Sequence, residues 1–287
     1  MPIGKTDMAP PAKRLNPVDL KAIFGLEPAN AIAYLKRKGY AITWHWQDRL
    51  DQAHDQAFTV AKAMRLDLLS DIRAALETAL QQGQTLKQFT THLQPILQAQ
   101  GWWGKQVIVD SQGTGELVQL GSPRRLKTIY QTNLQSAYMA GRKASMEATA
   151  QTHPYWMYIA ILDGKTRSSH RAMHGQVFRH NDPIWSSIFP PNGFNCRCRV
   201  IALSEAAVKR RGLTVVSSEE RMFVETVETG TNKRTGEIRT ASVTGIRITN
   251  AQGRDVTFRT DPGFNHAPGT GLAEALKRKQ TNTIQRT

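Results

Sequence analysis

Apolar residues recur at three- and four-residue steps from Asp48 to Gln82, at Ala57, Val60, Ala61, Met64, Leu68, Ile72, Ala75 and Ala79. That period predicts one long amphipathic helix, with Gly83 as its stop. A further helix follows from Leu86 to Gln98, which Pro95 should kink or interrupt. The clearest helical stretch opens on Ser122-Pro123, a cap followed by proline, and runs an apolar face through Leu126, Ile129, Tyr130, Leu134, Ala137, Tyr138, Gly141 and Ala144. Shorter helices are expected over Pro17–Phe24, and from Glu27-Pro28 until Gly39 stops the chain. The pattern changes after Pro154: Tyr155 to Leu162 is a short apolar run that suits a buried strand. Past Leu203 the period becomes two, over residues 223–227, 241–249 and 255–258, with Asn250–Gly253 as a hairpin loop.

These elements predict an α+β protein. Residues 1–16 read as a flexible basic arm and 17–104 as a helical N-terminal module. Residues 105–204 form a central helix–strand–loop unit, entered through a Gly-containing connector (105–122) that is a hairpin or loop. Residues 205–269 make a small β-rich module, and 270–287 a basic tail. Trp44 and Trp46 are expected to pack in the core, and the glycine-flanked Trp102-Trp103 pair to form a packed turn.

Charge adds a partner class. The chain of 287 residues holds 38 Lys plus Arg against 23 Asp plus Glu, a net charge of +15. That field favours polyanions. Basic clusters lie at Arg124, Arg125 and Lys127, at Lys209, Arg210 and Arg211, and at Lys277, Arg278 and Lys279, and the six residues of the first two are candidate phosphate contacts. None is interleaved with aromatics, so readout of base sequence is not expected. Two cysteines exclude a disulfide framework and fit a reducing compartment. No secretion signal or membrane-spanning run stands out, so no membrane partner is expected.

The chemistry concentrates between Asp163 and Arg199. His170 and His174 would share a helical face, and Cys196 and Cys198 follow the turn-forming Pro190-Pro-Asn-Gly run. His170, His174, Cys196 and Cys198 supply four zinc-type ligands, yet Cys-x-Cys leaves little room for both thiolates on one tetrahedral ion. The favoured reading has no metal and no cofactor. In it His170 bonds to Asp163 or a loop carbonyl, and one cysteine packs as a small apolar group. Asp163, Thr166, Arg167, His170, His174, Gly175, Asn195, Cys196 and Cys198 then form a structural hydrogen-bonded unit rather than a catalytic one. Arg167, Arg197 and Arg199 are available to pair with Asp163 or Asp182. Cys196, His170 and Asn195 have the residue types of a thiol hydrolase, but the sequence sets no base beside a nucleophile.

The order Asp163-x-x-Thr-Arg167-x-x-His170-x-x-x-His174-Gly175, followed by Pro190-Pro-Asn-Gly-Phe-Asn-Cys196-Arg-Cys198-Arg, resembles the phage Mu protein F-like head morphogenesis (minor capsid) family. Tyr130 to Arg142, Gly101-Trp-Trp-Gly104 and Asp261-Pro-Gly-Phe-Asn265 look like the same branch, so the resemblance runs from about Phe24 to Gly269. It implies a non-enzymatic minor head protein of a phage or prophage, made in the host cytoplasm and resident in the virion head. Portal protein, major capsid protein and packaged DNA would be its partners. The resemblance also implies a departure: relatives outside the Mu branch carry Cys-x-x-Cys and a nearby His, where this chain has Arg167, His170 and Gly193. A nuclease or toxin acting through His170, His174 or the C-terminal module is the alternative reading.

Overall fold

The computed structural model describes residues 29–109, 115–232, 235–250 and 253–270. The arm at 1–16, the helix expected at 17–24 and the cluster Lys277–Lys279 lie outside them, as does nearly all of the basic tail.

Helix α1 (Ala29–Arg37) ends in Lys36 and Arg37, where cations oppose the helix dipole. Strand β1 (Gly39–Tyr40), a short helix α2 (Ala53–Gln56) and strand β2 (Ala57–Phe58) follow. Helix α3 then spans Leu66–Gln82 and closes on Gly83 with φ 62°, a left-handed cap that glycine adopts without strain. The single helix expected from Asp48 to Gln82 therefore exists only in its second half. β2 instead pairs in parallel with β1, the Thr43 and Thr59 hydroxyls meet at 2.6 Å, and the Lys62 amide donates to the Thr43 carbonyl. These long-range bonds outweigh the local helical period, and Phe58 is buried through the extended path they impose.

Helix α4 (Leu86–Ala99) opens with a reciprocal cap between Thr85 and Gln88 and continues through Pro95. Pro95 removes one backbone bond, but Phe89, Leu93 and Leu97 are fully buried and hold the helix across the gap. Strands β3 (Lys105–Val109) and β4 (Gly115–Gln119) form the antiparallel hairpin of the connector. Trp102 is buried, and its indole donates to the Lys62 carbonyl. Helix α5 (Pro123–Ala148) is the longest, capped by Ser122 and buried along Leu126, Ile129, Leu134, Ala137 and Ala140. At Gly141 it crosses α1 so closely that a Cβ would sit 3.1 Å from the Ala31 backbone nitrogen, so a larger residue would have to push the two helices slightly apart.

Strand β5 (Tyr155–Ile159) is the centre of an antiparallel sheet, flanked by β6 (Val177–Arg179) and β7 (Arg199–Leu203). Between β5 and β7 lie α6 (Ser168–Ala172) and α7 (Ile184–Ser187), and α8 (Glu205–Arg210) follows β7. A second antiparallel sheet sets β9 (Ile238–Thr249) between β8 (Met222–Thr231) and β10 (Asp255–Arg259). Ile246, Ile248 and Phe258 of that sheet join Trp156, Tyr158 and Phe178 in one hydrophobic core. The two sheets therefore share an interior, and the loop after β10 returns to the central unit. Among the described residues no helix is long and apolar enough to cross a membrane.

Candidate functional site

β5 delivers the chain to Asp163, whose side chain organises the turn that follows. Its carboxylate accepts from the Lys165 amide, the Thr166 amide and the Thr166 hydroxyl at 3.0–3.1 Å. Arg197, across the gap at the start of β7, grips it with two nitrogens at 2.8 and 2.6 Å and also donates to Thr166 Oγ1. The Arg197 bonds hold the Asp163 carboxyl well below the usual carboxylate range. Of the arginine partners expected for Asp163, Arg197 takes the role. Among the described residues Asp182 pairs with no arginine, and it accepts from the Ile184 amide and from Ser218.

His170 is buried on α6 and points at the two thiols, with Nδ1 3.7 Å from Cys196 Sγ and 3.6 Å from Cys198 Sγ. Its Nε2 lies 3.4 Å from Arg167, and its ring packs 5.2 Å from that of Phe258. The expected bond from His170 to Asp163 or a carbonyl is thus not formed, because Asp163 is taken by Arg197 and Thr166. Both cysteines pack in the buried core with Phe178 and Phe258; the Cys198 hydrogen bond and His170 favour the Cys196 thiolate, whereas the neighbouring Cys196 and burial push Cys198 up. Tyr158 stands beside Cys198, its hydroxyl accepts from Asn192 Nδ2 at 3.0 Å, and burial pushes its phenol up.

His174 does not join the thiols. α6 ends at Ala172, and His174 Nδ1 lies 3.2 Å from the amide and 3.1 Å from the carbonyl of Ala160. The helical face expected to present both histidines is therefore absent, and the four-ligand zinc set loses one member. His170, Cys196 and Cys198 remain as three buried donors within 4.8 Å of one another. Zinc bonds of about 2.0–2.3 Å place tetrahedral ligands about 3.5–3.8 Å apart, so this trio could hold an ion as three of its ligands. The same trio also closes on itself through thiol and imidazole hydrogen bonds.

The departure at positions 167 and 193 has a geometric meaning. Arg167 donates to Asp261 at 2.8 Å and to the Phe194 carbonyl at 3.3 Å. A Cβ on Gly193 would lie 2.2 Å from Asp261 Oδ2 and 2.6 Å from Arg167 NH1. The absent side chain at 193 is what lets this ion pair cross the loop. Asp261 also donates its amide to the Asn192 carbonyl, and its carboxyl is pushed up by burial with Arg167 opposing. Gly175 adopts φ 83° and donates to the Tyr158 carbonyl, and Asn195 holds φ 59° at the exposed tip before Cys196. Asn192, Tyr158 and Asp261 are members that sequence reasoning did not place in the cluster; the Asp261-Pro-Gly-Phe-Asn265 motif was the available signal for the last.

The six candidate phosphate contacts do not behave alike. Arg125 is held inside the fold: it donates to the carbonyls of Gln119, Leu120 and Ala61 and stacks on Trp102. Burial pulls it down to about 10. It is a structural arginine. Lys209 pairs with Glu205 on α8. Arg124, Lys127, Arg210 and Arg211 are exposed.

Residues 70–201 match the family described as Phage Mu protein F like protein. The chain is 47% identical over 266 residues to protein F of Escherichia phage Mu, whose name carries a proposed capsid assembly role, covering 91% of this chain and 59% of that protein. It is 44% identical over 242 residues to the Mu-like prophage FluMu F protein of Haemophilus influenzae, covering 83% of this chain and 56% of that protein. The chain thus spans under two thirds of the length of these curated relatives. No solved structure matches it.

Proposed function

The chain belongs to the phage Mu protein F-like family, and on that premise we propose that it acts in phage head assembly as a minor head protein seated at or near the portal. The observation that carries this reading is the identity to the phage Mu protein over 91% of the chain. Two physical features support it. A net charge of +15 suits a protein that sits beside packaged DNA and holds phosphates without reading bases. The central cluster is a lock: Asp163–Arg197 and Arg167–Asp261 tie β5, β7, α6 and the loop after β10 together, while Cys196, Cys198 and His170 are buried away from any substrate. In this reading the lock is metal-free, no cofactor takes part, and the protein is not an enzyme. Assembly takes place in the host cytoplasm and the protein then resides in the virion head.

Mass spectrometry of purified heads, with and without portal, tests the reading. The protein is expected at low copy in portal-containing heads, and heads lacking it should fail to mature. Its absence from every particle, together with normal infectivity of a deletion phage, would overturn the assignment. Elemental analysis of the purified chain should give less than about 0.1 zinc per molecule; one zinc per molecule replaces the metal-free lock with a zinc centre.

A further inference from the structure

A cavity of about 360 Å³ opens between α1, the segment before α3, the start of α5 and the loop after β10. That volume lies in the range of small-ligand sites. Its walls include Trp46, Phe194 and Phe264, and among the described residues no Asp or Glu lines it. The cations that do are Lys38, Arg124 and Arg125, and Arg125 is already committed to three carbonyls.

Lys38 is 7% exposed and forms no ion pair among the described residues; its Nζ lies over the face of the Tyr34 ring, 4.4 Å from the ring centre. Burial pulls its ammonium down to about 8. Asp55, the closest source of negative charge, is spent elsewhere: it accepts from the Tyr34 hydroxyl at 2.5 Å and from the Gly269 amide at 2.9 Å, and His266 Nε2 lies 3.5 Å away. Two further wall residues hold polar atoms that are buried without a hydrogen-bond partner, His266 Nδ1 and Thr132 Oγ1. An ammonium taken out of water with spare donor capacity, in the wall of a hollow lined by aromatic rings, is costly unless something completes it.

We propose that this cavity is a binding site for a carboxylate carried on an apolar or aromatic body. The carboxylate meets the Lys38 ammonium, the apolar body lies along Trp46, Phe194 and Phe264, and Arg124 stands exposed at the rim. One deep ammonium suits a singly charged group better than a phosphate dianion. Duplex DNA cannot bring a backbone phosphate to a lysine this enclosed.

Calorimetric titration of the full chain tests the site with two acids: 4-phenylbutyrate, and the peptide acetyl-Ala-Phe-Glu-Phe-Ala-amide. Their neutral counterparts are 4-phenylbutyramide and the same peptide with Gln for Glu. An acid is expected to bind about tenfold or more tighter than its amide. Tighter binding of the free acid assigns a small-molecule ligand, and tighter binding of the peptide assigns an acidic segment of a partner protein. Lys38→Met should reduce acid binding to the level of the amide, and Arg124→Ala should weaken it a few-fold. Should Lys38→Met fold poorly, the wild-type chain carries the test: the Trp46 indole and His266 imidazole resonances should shift on titration with acid and not with amide. Equal affinity for acid and amide, no saturable binding, or shifts confined to residues outside the cavity would overturn the proposal.

Discussion

The lock around Asp163 and the cavity around Lys38 are both polar clusters, and they differ in how far their groups are satisfied. In the lock each charge has a partner: Asp163 with Arg197, and Arg167 with Asp261. Asn192 Oδ1 is the buried side-chain atom left over there. In the cavity wall, among the described residues, Lys38 has no carboxylate, and His266 Nδ1 and Thr132 Oγ1 have no partner. Satisfied networks fix a fold, whereas an ammonium with donors to spare in the wall of a hollow leaves room for a ligand. The loop from Asp261 to Gly269 belongs to both, pairing with Arg167 at one end and donating to Asp55 at the other.

The comparison breaks most visibly at Asp55, which supports the cavity from behind. Asp55→Ala strands the Tyr34 hydroxyl and the Gly269 amide and takes the carboxylate from His266, and should lower unfolding free energy by about 3–5 kcal/mol in denaturant melts. A loss under about 1 kcal/mol would show that the cavity wall does not depend on it.

His54, also in the cavity wall, gives a pH test. Burial first, and the Lys38 charge second, push its imidazole down to about 4. The unfolded chain takes up this proton near pH 6.5 and the folded chain only near 4, so stability falls as pH drops through that window. His54→Gln should remove on the order of 3 kcal/mol of that fall, read as a flatter profile of stability against pH between 6.5 and 4.

Two neighbouring arginines sharpen the comparison on one helix. Arg125→Ala should destabilise by about 2 kcal/mol, since three carbonyls lose a charged donor. Arg124→Ala should leave the melting temperature unchanged within about 1 °C, because the residue is exposed. In the lock, Gly193→Ala should cost about 1 kcal/mol, a modest figure because the Arg167–Asp261 pair it separates is partly exposed. Adding Arg167→Ala to Gly193→Ala should cost little more, since the pair is already broken. Additive losses in that double mutant would show that Gly193 acts by another route.

Much of the lock was legible in the order of its residues. Asp163 and Thr166 announce a side-chain-organised turn, and Arg197 was among the arginines available to close it. The partner of Arg167 was not legible, because Asp261 lies 94 residues away and no periodicity links them. The helical face of His170 and His174 was misread, since α6 ends before His174 and Ala160 claims that ring. The cavity left no trace in the sequence: Lys38 reads as a solvated charge at a helix end, His54 as a polar position within a helix, and His266 as an isolated histidine.

What the chain determined by itself was local. Ser122-Pro123 and Gly83 set helix ends through their own backbone preferences, and the period-two runs after Leu203 became β8 to β10. The tertiary structure decided where the period yielded, as between Asp48 and Arg65. There, pairing with Gly39–Tyr40 supplied backbone bonds that a solitary amphipathic helix could not match. It also decided which charges are paired and which are left facing a hollow, because burial and partnership arise only when segments far apart in sequence meet.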